Sequence, residues 1–318
     1  MMKRILVLLI PVLIAGILLT SFTGHQDQPP KAAIRTLIID AGHGGFDQGA
    51  KGSFSTEAEV SLAVALKFGK ALEKEFPDLK IVYTRTGDIA PGNKTNKTED
   101  NRYRADLANR SGGDLFIAIH CNSAPPKKNR AISGYTTRTS YTGKGSKRKK
   151  VTKKVPKYRY WTTPNPARGT ETYIWAVGKN DAKVSAVNLN EEIYGEMEDS
   201  TQQVVMPDPS DPAEKARMLI YAQQFFKKSL DLADLIEKEF VAAGRVSRGV
   251  KQRNHTGIWV LQATGMPSVL VELGFLTNLE EEKYLNSDKG QEETVDALVS
   301  AFRSYKQKLE ARQMASGM

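Results

Sequence analysis

Cys121 is the only cysteine in 318 residues, so no internal disulfide can hold the chain together. Stability must come from packing, or from a bound ion. No cysteine follows the apolar run near the amino terminus, which excludes a lipid attached to a new amino-terminal cysteine. Internal repeats are absent. Acid is missing from one stretch: residues 127–168 hold fourteen Lys or Arg and no Asp or Glu, giving +14 there against −4 over the rest. The net charge of +10 is thus a local feature, and the bulk of the chain is ordinary.

Lys3 and Arg4 precede an apolar-dominated run over residues 5–19, followed by Thr20-Ser21-Phe22-Thr23-Gly24. A run of that length fits the core of a secretory signal better than a membrane span of ~20 residues. Residues 1–24 are expected to be a signal peptide, with an uncleaved anchor as the alternative. Residues 25–33, with Pro29-Pro30, read as a linker. The protein is expected to be exported, to the periplasm or cell envelope.

Thr36-Leu37-Ile38-Ile39 is a short apolar, β-branched run, the mark of a strand covered on both faces. It breaks into Asp40-Ala41-Gly42-His43-Gly44-Gly45. Glycines around the histidine permit a sharp turn and keep bulk away from the imidazole. In open α/β sheets, this carboxyl edge of the strands is where ligands bind. A lone Gly-His-Gly-Gly is equally well a glycine-rich connection with an exposed histidine. Two further apolar runs end the same way, residues 114–119 in His120 and residues 268–271 in Glu272. His, His and Glu all bind zinc or work beside it. Glu57 stands at the start of a helix-like segment, where the helix dipole alone also favours a carboxylate. His43, Glu57 and His120 together would form a two-histidine, one-carboxylate site with a fourth position free for water.

Along the chain, the spacing predicts a helix over 57–76 closed by Pro77, a strand over 79–84 and a loop over 89–99. A short helix over 101–109 follows, then the strand ending at His120. This alternation predicts an α/β fold, a mainly parallel sheet with helices on both faces. The basic insert 127–168 shows neither helical nor alternating pattern, and tyrosines and Trp161 are interleaved with its charges. It reads as a surface for acidic envelope polymers or as a solvated, partly disordered loop; nucleic acid is not expected for an exported protein. A strand over 170–177 comes next, then a mixed segment over 181–211 with a helical piece around 187–197. A long helix spans 213–243 and is ended by Gly244. A strand over 268–272, a helix over 279–285 capped by Asn278, and a terminal helix over 292–312 complete the chain.

Several of these residues carry a family resemblance. Asp40-Ala41-Gly42-His43-Gly44-Gly45, Asp47-Gln48-Gly49-Ala50 and Glu57-Ala58-Glu59-Val60-Ser61-Leu62-Ala63 resemble the opening of the zinc-dependent N-acetylmuramoyl-L-alanine amidases. Tyr83-Thr84-Arg85-Thr86, Arg104 with Ala108-Asn109, Gly169-Thr170-Glu171-Thr172-Tyr173, Arg248-Gly249-Val250-Lys251 and the stretch from Met266 to Asn278 continue it in order. The resemblance implies a single catalytic domain over 34–312, with a mixed, mostly parallel twisted sheet flanked by helices. It implies one Zn2+ per chain held by His43, Glu57 and His120, with Glu272 as the catalytic carboxylate. It implies peptidoglycan as the substrate, cut between the muramic lactyl group and L-alanine. The family usually has proline at Ala41, lysine at Ala58, serine at Ala118 and alanine at Cys121; none of these is a ligand. The insert 127–168 is longer than the usual connection there. Residues 181–211 are a candidate cover over the site, as in relatives that need a protein activator.

Two alternatives stand beside this. Cys121 next to His120 invites a cysteine hydrolase, although neighbours on a strand point to opposite faces. A non-catalytic wall-binding protein using residues 127–168 is the other.

Overall fold

The computed structural model of the chain describes residues 32–176, Lys183 and residues 212–316. The expected signal peptide, most of the linker, and all of the candidate cover over 181–211 except Lys183 lie outside the described residues. The compact unit Ile34–Tyr305 carries the sheet and the site described below.

Thr36–Ala41 forms β1, buried at every position, as a strand covered on both faces must be. The chain continues through α1 (Glu57–Glu75), β2 (Lys80–Tyr83), α2 (Lys97–Arg110) and β3 (Leu115–Asn122). A pair β4 (Lys127–Thr142) and β5 (Lys149–Thr163) precedes β6 (Thr170–Ile174) and α3 (Pro212–Ala242). Then come β7 (Ser247–Gln252), α4 (Trp259–Ala263), β8 (Ser268–Phe275), α5 (Leu279–Asn286) and α6 (Asp288–Ser316). Six strands make one sheet in the order β2-β1-β3-β8-β6-β7. β2, β1, β3 and β8 run parallel, β6 is antiparallel to β8, and β7 is parallel to β6. The expected mixed, mostly parallel sheet is what forms.

Alternate residues of the central strands feed two layers. Ile38, Phe116, Ala118 and Leu270 join Met218, Ala222 and Phe225 of α3 in one core. On the other side α1 packs against β1 and β3, burying Val60, Val64, Phe68 and Leu72. Burying side chains of this size stabilises by ~1.5–3 kcal/mol each, which is how a chain without disulfides holds together.

Three expectations change. Residues 127–168 are not a loop: β4 and β5 pair antiparallel over their whole length as a two-stranded ribbon apart from the main sheet. Among the described residues neither face of the ribbon is covered, so no hydrophobic alternation was there to read; backbone pairing of Thr, Val and Tyr makes the strands. β7 was not expected, because this edge strand is short and polar. Helix α2 begins at Lys97, not 101, since Asn96 caps it by accepting from the backbone N–H of Glu99 at 3.0 Å.

Candidate metal centre

The turn after β1 is held open by two buried arginines. Arg104 donates to the carbonyls of Ala41 (2.8 Å) and His43 (2.7 Å), and Arg85 to those of Ala41 (2.9 Å) and Gly42 (2.7 Å). Arg104 is itself fixed by Asp40 at 2.5 Å and Asp100 at 3.0 Å. This clamp keeps His43 at φ +60°, a left-handed conformation that few non-glycine residues adopt. Its imidazole then faces into the molecule, with Nδ1 2.9 Å from Asp47 Oδ2.

Glu57 arrives from the first residue of α1. Thr56 and Glu59 form a reciprocal capping box there, which sets where the helix starts. Glu57 Oε2 accepts from the Ala50 N–H at 2.7 Å, while Oε1 accepts from the Cys121 N–H at 3.1 Å. That same Oε1 lies 3.1 Å from His43 Nε2 and 2.8 Å from His120 Nδ1. His120 comes from the end of β3, its ring 5.0 Å from that of His43. Gly42 makes room for it: a Cβ on Gly42 would lie 2.4 Å from His120 Cε1. Gly49, at φ +66°, likewise leaves space beside Glu57 and His43.

The donor atoms of His43, Glu57 and His120 all lie within 4.8 Å of one another. Two imidazoles and one carboxylate are the donor set of a catalytic zinc site with an open position. The Asp47 carboxylate behind His43 is the usual support for a ligating histidine. The electrostatics agree. Burial would raise the Glu57 carboxyl, but hydrogen bonds with His120 and His43 outweigh it and hold it well below the carboxylate range. Burial would lower His43, but Glu57 and Asp47 hold it above its ordinary value. Two carboxylates thus prefer a cation at this spot, proton or metal.

Glu272, on β8, is the register partner of His120 on β3. The register shifts just beyond this pair, a local irregularity of the kind that re-aims side chains at sites. Glu272 is 5% exposed, and burial first, then the charge of Glu57, pushes its carboxyl up to about 8. Its Oε2 is buried with no hydrogen-bond partner among the described residues, and Oε1 lies 3.5 Å from Arg253 Nη2. An orphaned acid oxygen beside three converging donors fits a site shaped for a further group. All four residues line one cleft of about 400 Å³, with Asp47, Asn122, Arg253 and Trp259.

The sequence singled out the four central residues, and the fold brings them together. It missed the roles of Asp47 and of the two clamping arginines, for which spacing carries no signal beyond Asp47 standing four residues after His43. Cys121 is 3% exposed, and burial foremost raises its thiol well above the ordinary value, with Glu57 and Glu272 adding to it. A protonated, buried thiol is a poor nucleophile. His255 does not join the cluster, and His25 lies outside the described residues.

A family described as N-acetylmuramoyl-L-alanine amidase matches residues 37–304. The chain is 25% identical to the N-acetylmuramoyl-L-alanine amidase AmiC of Escherichia coli O6:H1 over 271 residues, 85% of this chain and 52% of that protein. It is 25% identical to AmiA of Escherichia coli K12 over 296 residues, 91% of this chain and 82% of that one. Among solved structures, the CwlD amidase from Clostridioides difficile, in complex with the GerS lipoprotein, shares the fold with a TM-score of 0.50. That likeness is at 20% identity and covers 85% of this chain and 98% of CwlD. The chain spans 35%, 52% and 51% of the length of three curated relatives it matches.

Proposed function

The chain belongs to the N-acetylmuramoyl-L-alanine amidase family, and from that premise we propose that it hydrolyses the amide joining the lactyl group of N-acetylmuramic acid to L-alanine in peptidoglycan. The observation that carries this is the convergence of His43, Glu57 and His120 within 4.8 Å, with Glu272 beside His120 in one cleft.

His43, Glu57 and His120 would hold one zinc ion per chain. When bound, zinc supplies Lewis-acid polarisation of a carbonyl and lowers the pKa of water from ~15.7 towards ~7. Asp47 fixes the His43 ring through Nδ1 and so presents Nε2 to the site. The Ala50 and Cys121 backbone N–H groups hold the Glu57 carboxylate in place. Glu272 is the proton carrier: its carboxylate takes the proton of the attacking water and returns it to the departing alanine nitrogen. Burial foremost, and then the charge of Glu57, holds its carboxyl high, and a dication at the site would offset the second of these. Arg253, at 3.5 Å, favours the ionised form needed for proton abstraction.

Residues 1–24 are proposed as the export signal, residues 25–33 as a linker and residues 34–312 as the catalytic domain acting in the periplasm or cell envelope. Residues 127–168 are the surface for anionic envelope polymers. A protein activator is proposed for this chain, with residues 181–211 as the candidate cover over the site; CwlD is found in complex with a lipoprotein.

The test is metal content and sacculus hydrolysis on one purified sample before and after chelation. The expected result is one zinc per chain, with free lactyl ends and new L-alanine amino termini that vanish on chelation. Glu272→Ala is expected to keep the zinc and lose turnover by ~10²–10⁴-fold. Loss of the metal in that variant would show that Glu272 is a ligand and not the proton carrier.

A further inference from the structure

The β4–β5 ribbon is the most highly charged part of the chain, and nothing in the cleft uses it. We propose that it is a two-sided strip that binds a flexible acidic polysaccharide, seating the sugars on tyrosines and the anionic groups on lysines. The choice of a polysaccharide rests on the chain acting at the cell wall; the two-sidedness rests on the ribbon alone.

The pairing register assigns each residue to a face. From Lys127↔Thr163 to Thr142↔Lys149 the strands pair continuously, with one shift between Ile132 and Gly134 where Ser133 bulges out. Successive residues of a strand point to opposite faces. One face therefore carries Lys127, Arg138, Lys149, Lys153, Lys157 and Arg159. The other carries Lys128, Arg130, Lys150 and Lys154, together with Tyr135, Tyr141, Tyr158 and Tyr160. Ring contacts agree with this assignment: Tyr158 meets Tyr160 at 6.2 Å, and Arg130 stacks on Tyr158 at 5.0 Å. On the opposite face Arg159 stacks on Trp161 at 5.4 Å. Lys144, Lys147 and Arg148 add charge at the tip.

That distribution selects the occupant. A lipid surface is flat and can neutralise one face only, whereas the cations divide between both faces and the tip. Two-stranded ribbons also twist more than any other sheet, so over fifteen pairs no face stays in one plane. A flexible polyanion can follow the twist and reach both sides. Tyr135, Tyr141 and Tyr160 are 65%, 56% and 68% exposed, although large aromatic rings gain from being covered. Arg148 stacks on Tyr141 at 4.5 Å and Arg130 on Tyr158, which keeps ring faces and charges adjacent and suits a ligand alternating apolar ring faces with anions. An uncovered two-stranded ribbon is only marginally stable in water, and here like charges repel along it. A polyanion relieves that repulsion.

The ribbon's root is rigid and lies at the cleft. The Ala124 N–H donates to Thr277 Oγ1 at 2.9 Å, Asn165 Nδ2 to the Pro125 carbonyl at 3.1 Å, and Asn278 Nδ2 to the Ala167 carbonyl at 3.1 Å. Ser123, just before this root, lines the cleft. At ~3.4 Å per residue the ribbon reaches about 50 Å. Binding along it would hold the cleft on the wall between cuts.

The test uses the full chain carrying Glu272→Gln, titrated with fluorescent alginate at 50 and 200 mM salt. Strong binding that falls about tenfold or more between the two salts is expected. Replacing Lys149, Lys150, Lys153 and Lys154 with Ser is expected to weaken it about tenfold or more at the lower salt. Replacing Tyr135, Tyr158 and Tyr160 with Ser is expected to weaken it about fivefold or more. Unchanged binding in both variants overturns the proposal. So does equal or tighter binding to single-stranded DNA, or to phosphatidylglycerol vesicles. A variant with residues 127–163 replaced by a short Gly-Ser turn is expected to cleave a soluble muramoyl peptide as fast as the unmodified chain. Failure of both to cleave would refute the amidase reading and leave the alginate result standing on its own.

Discussion

Gly42→Ala adds one methyl group at the turn after β1, and its consequence follows from distances. The new Cβ would lie 2.4 Å from His120 Cε1, 2.5 Å from Nε2 and 2.7 Å from Nδ1. Carbon atoms in contact sit ~3.5–4.0 Å apart, so the ring must retreat by about 1 Å. The backbone cannot share the movement, because β3 is paired with β1 on one side and β8 on the other. Nor does alanine strain position 42 itself, since its φ lies outside the left-handed region. The whole effect falls on His120, taking Nδ1 away from Glu57 and the donor set. Displacing a group by ~1 Å costs about 100-fold in rate, and disturbing the support of a metal ligand costs ~10–100-fold in affinity. We therefore expect about 100-fold weaker zinc binding in a chelator competition, a similar fall in kcat/KM on a soluble muramoyl peptide, and a melting temperature of the metal-free chain within a few degrees of wild type. Gly87→Ala, where nothing lies within 4 Å of the added Cβ, is the control and should change neither quantity. Wild-type zinc affinity and kcat/KM in Gly42→Ala would refute the steric argument and, with it, His120 as a ligand.

Asp47→Asn removes the carboxylate behind His43 Nδ1 and is expected to weaken zinc binding ~10–100-fold, read by the same competition. Glu272 protonates at about 8 in the metal-free fold against an ordinary 4.5. The unfolded chain therefore loses this proton first, and the folded state pays a growing penalty between those two values as pH rises. Metal-free Glu272→Gln should accordingly be more stable than the metal-free parent at pH 9, by the order of a few kcal/mol, and closest to it below pH 4. Denaturant midpoints that track each other across this range would remove the buried-acid argument. Thiol reagents should leave hydrolysis intact while the chain is folded, because Cys121 is buried and protonated; stoichiometric loss of activity on labelling would revive the cysteine reading.

The four central residues were legible because each stands where a strongly patterned segment ends. Apolar runs stop at Asp40, His120 and Glu272, and a capped amphipathic helix begins at Glu57. Local pattern determines such positions, and the parallel order of strands then aligns their carboxyl ends. What the sequence could not determine is anything that depends on residues meeting from far apart. Arg85 and Arg104 stand in the sequence as part of a family resemblance with no role attached; only the folded turn shows them gripping the carbonyls of Ala41, Gly42 and His43. The raised carboxyl of Glu272 likewise arises from burial against Glu57, 215 positions away in sequence. The ribbon shows the reverse limit. Its strands exist through backbone pairing with no face buried, so hydrophobic periodicity, which records burial and nothing else, had no way to announce them.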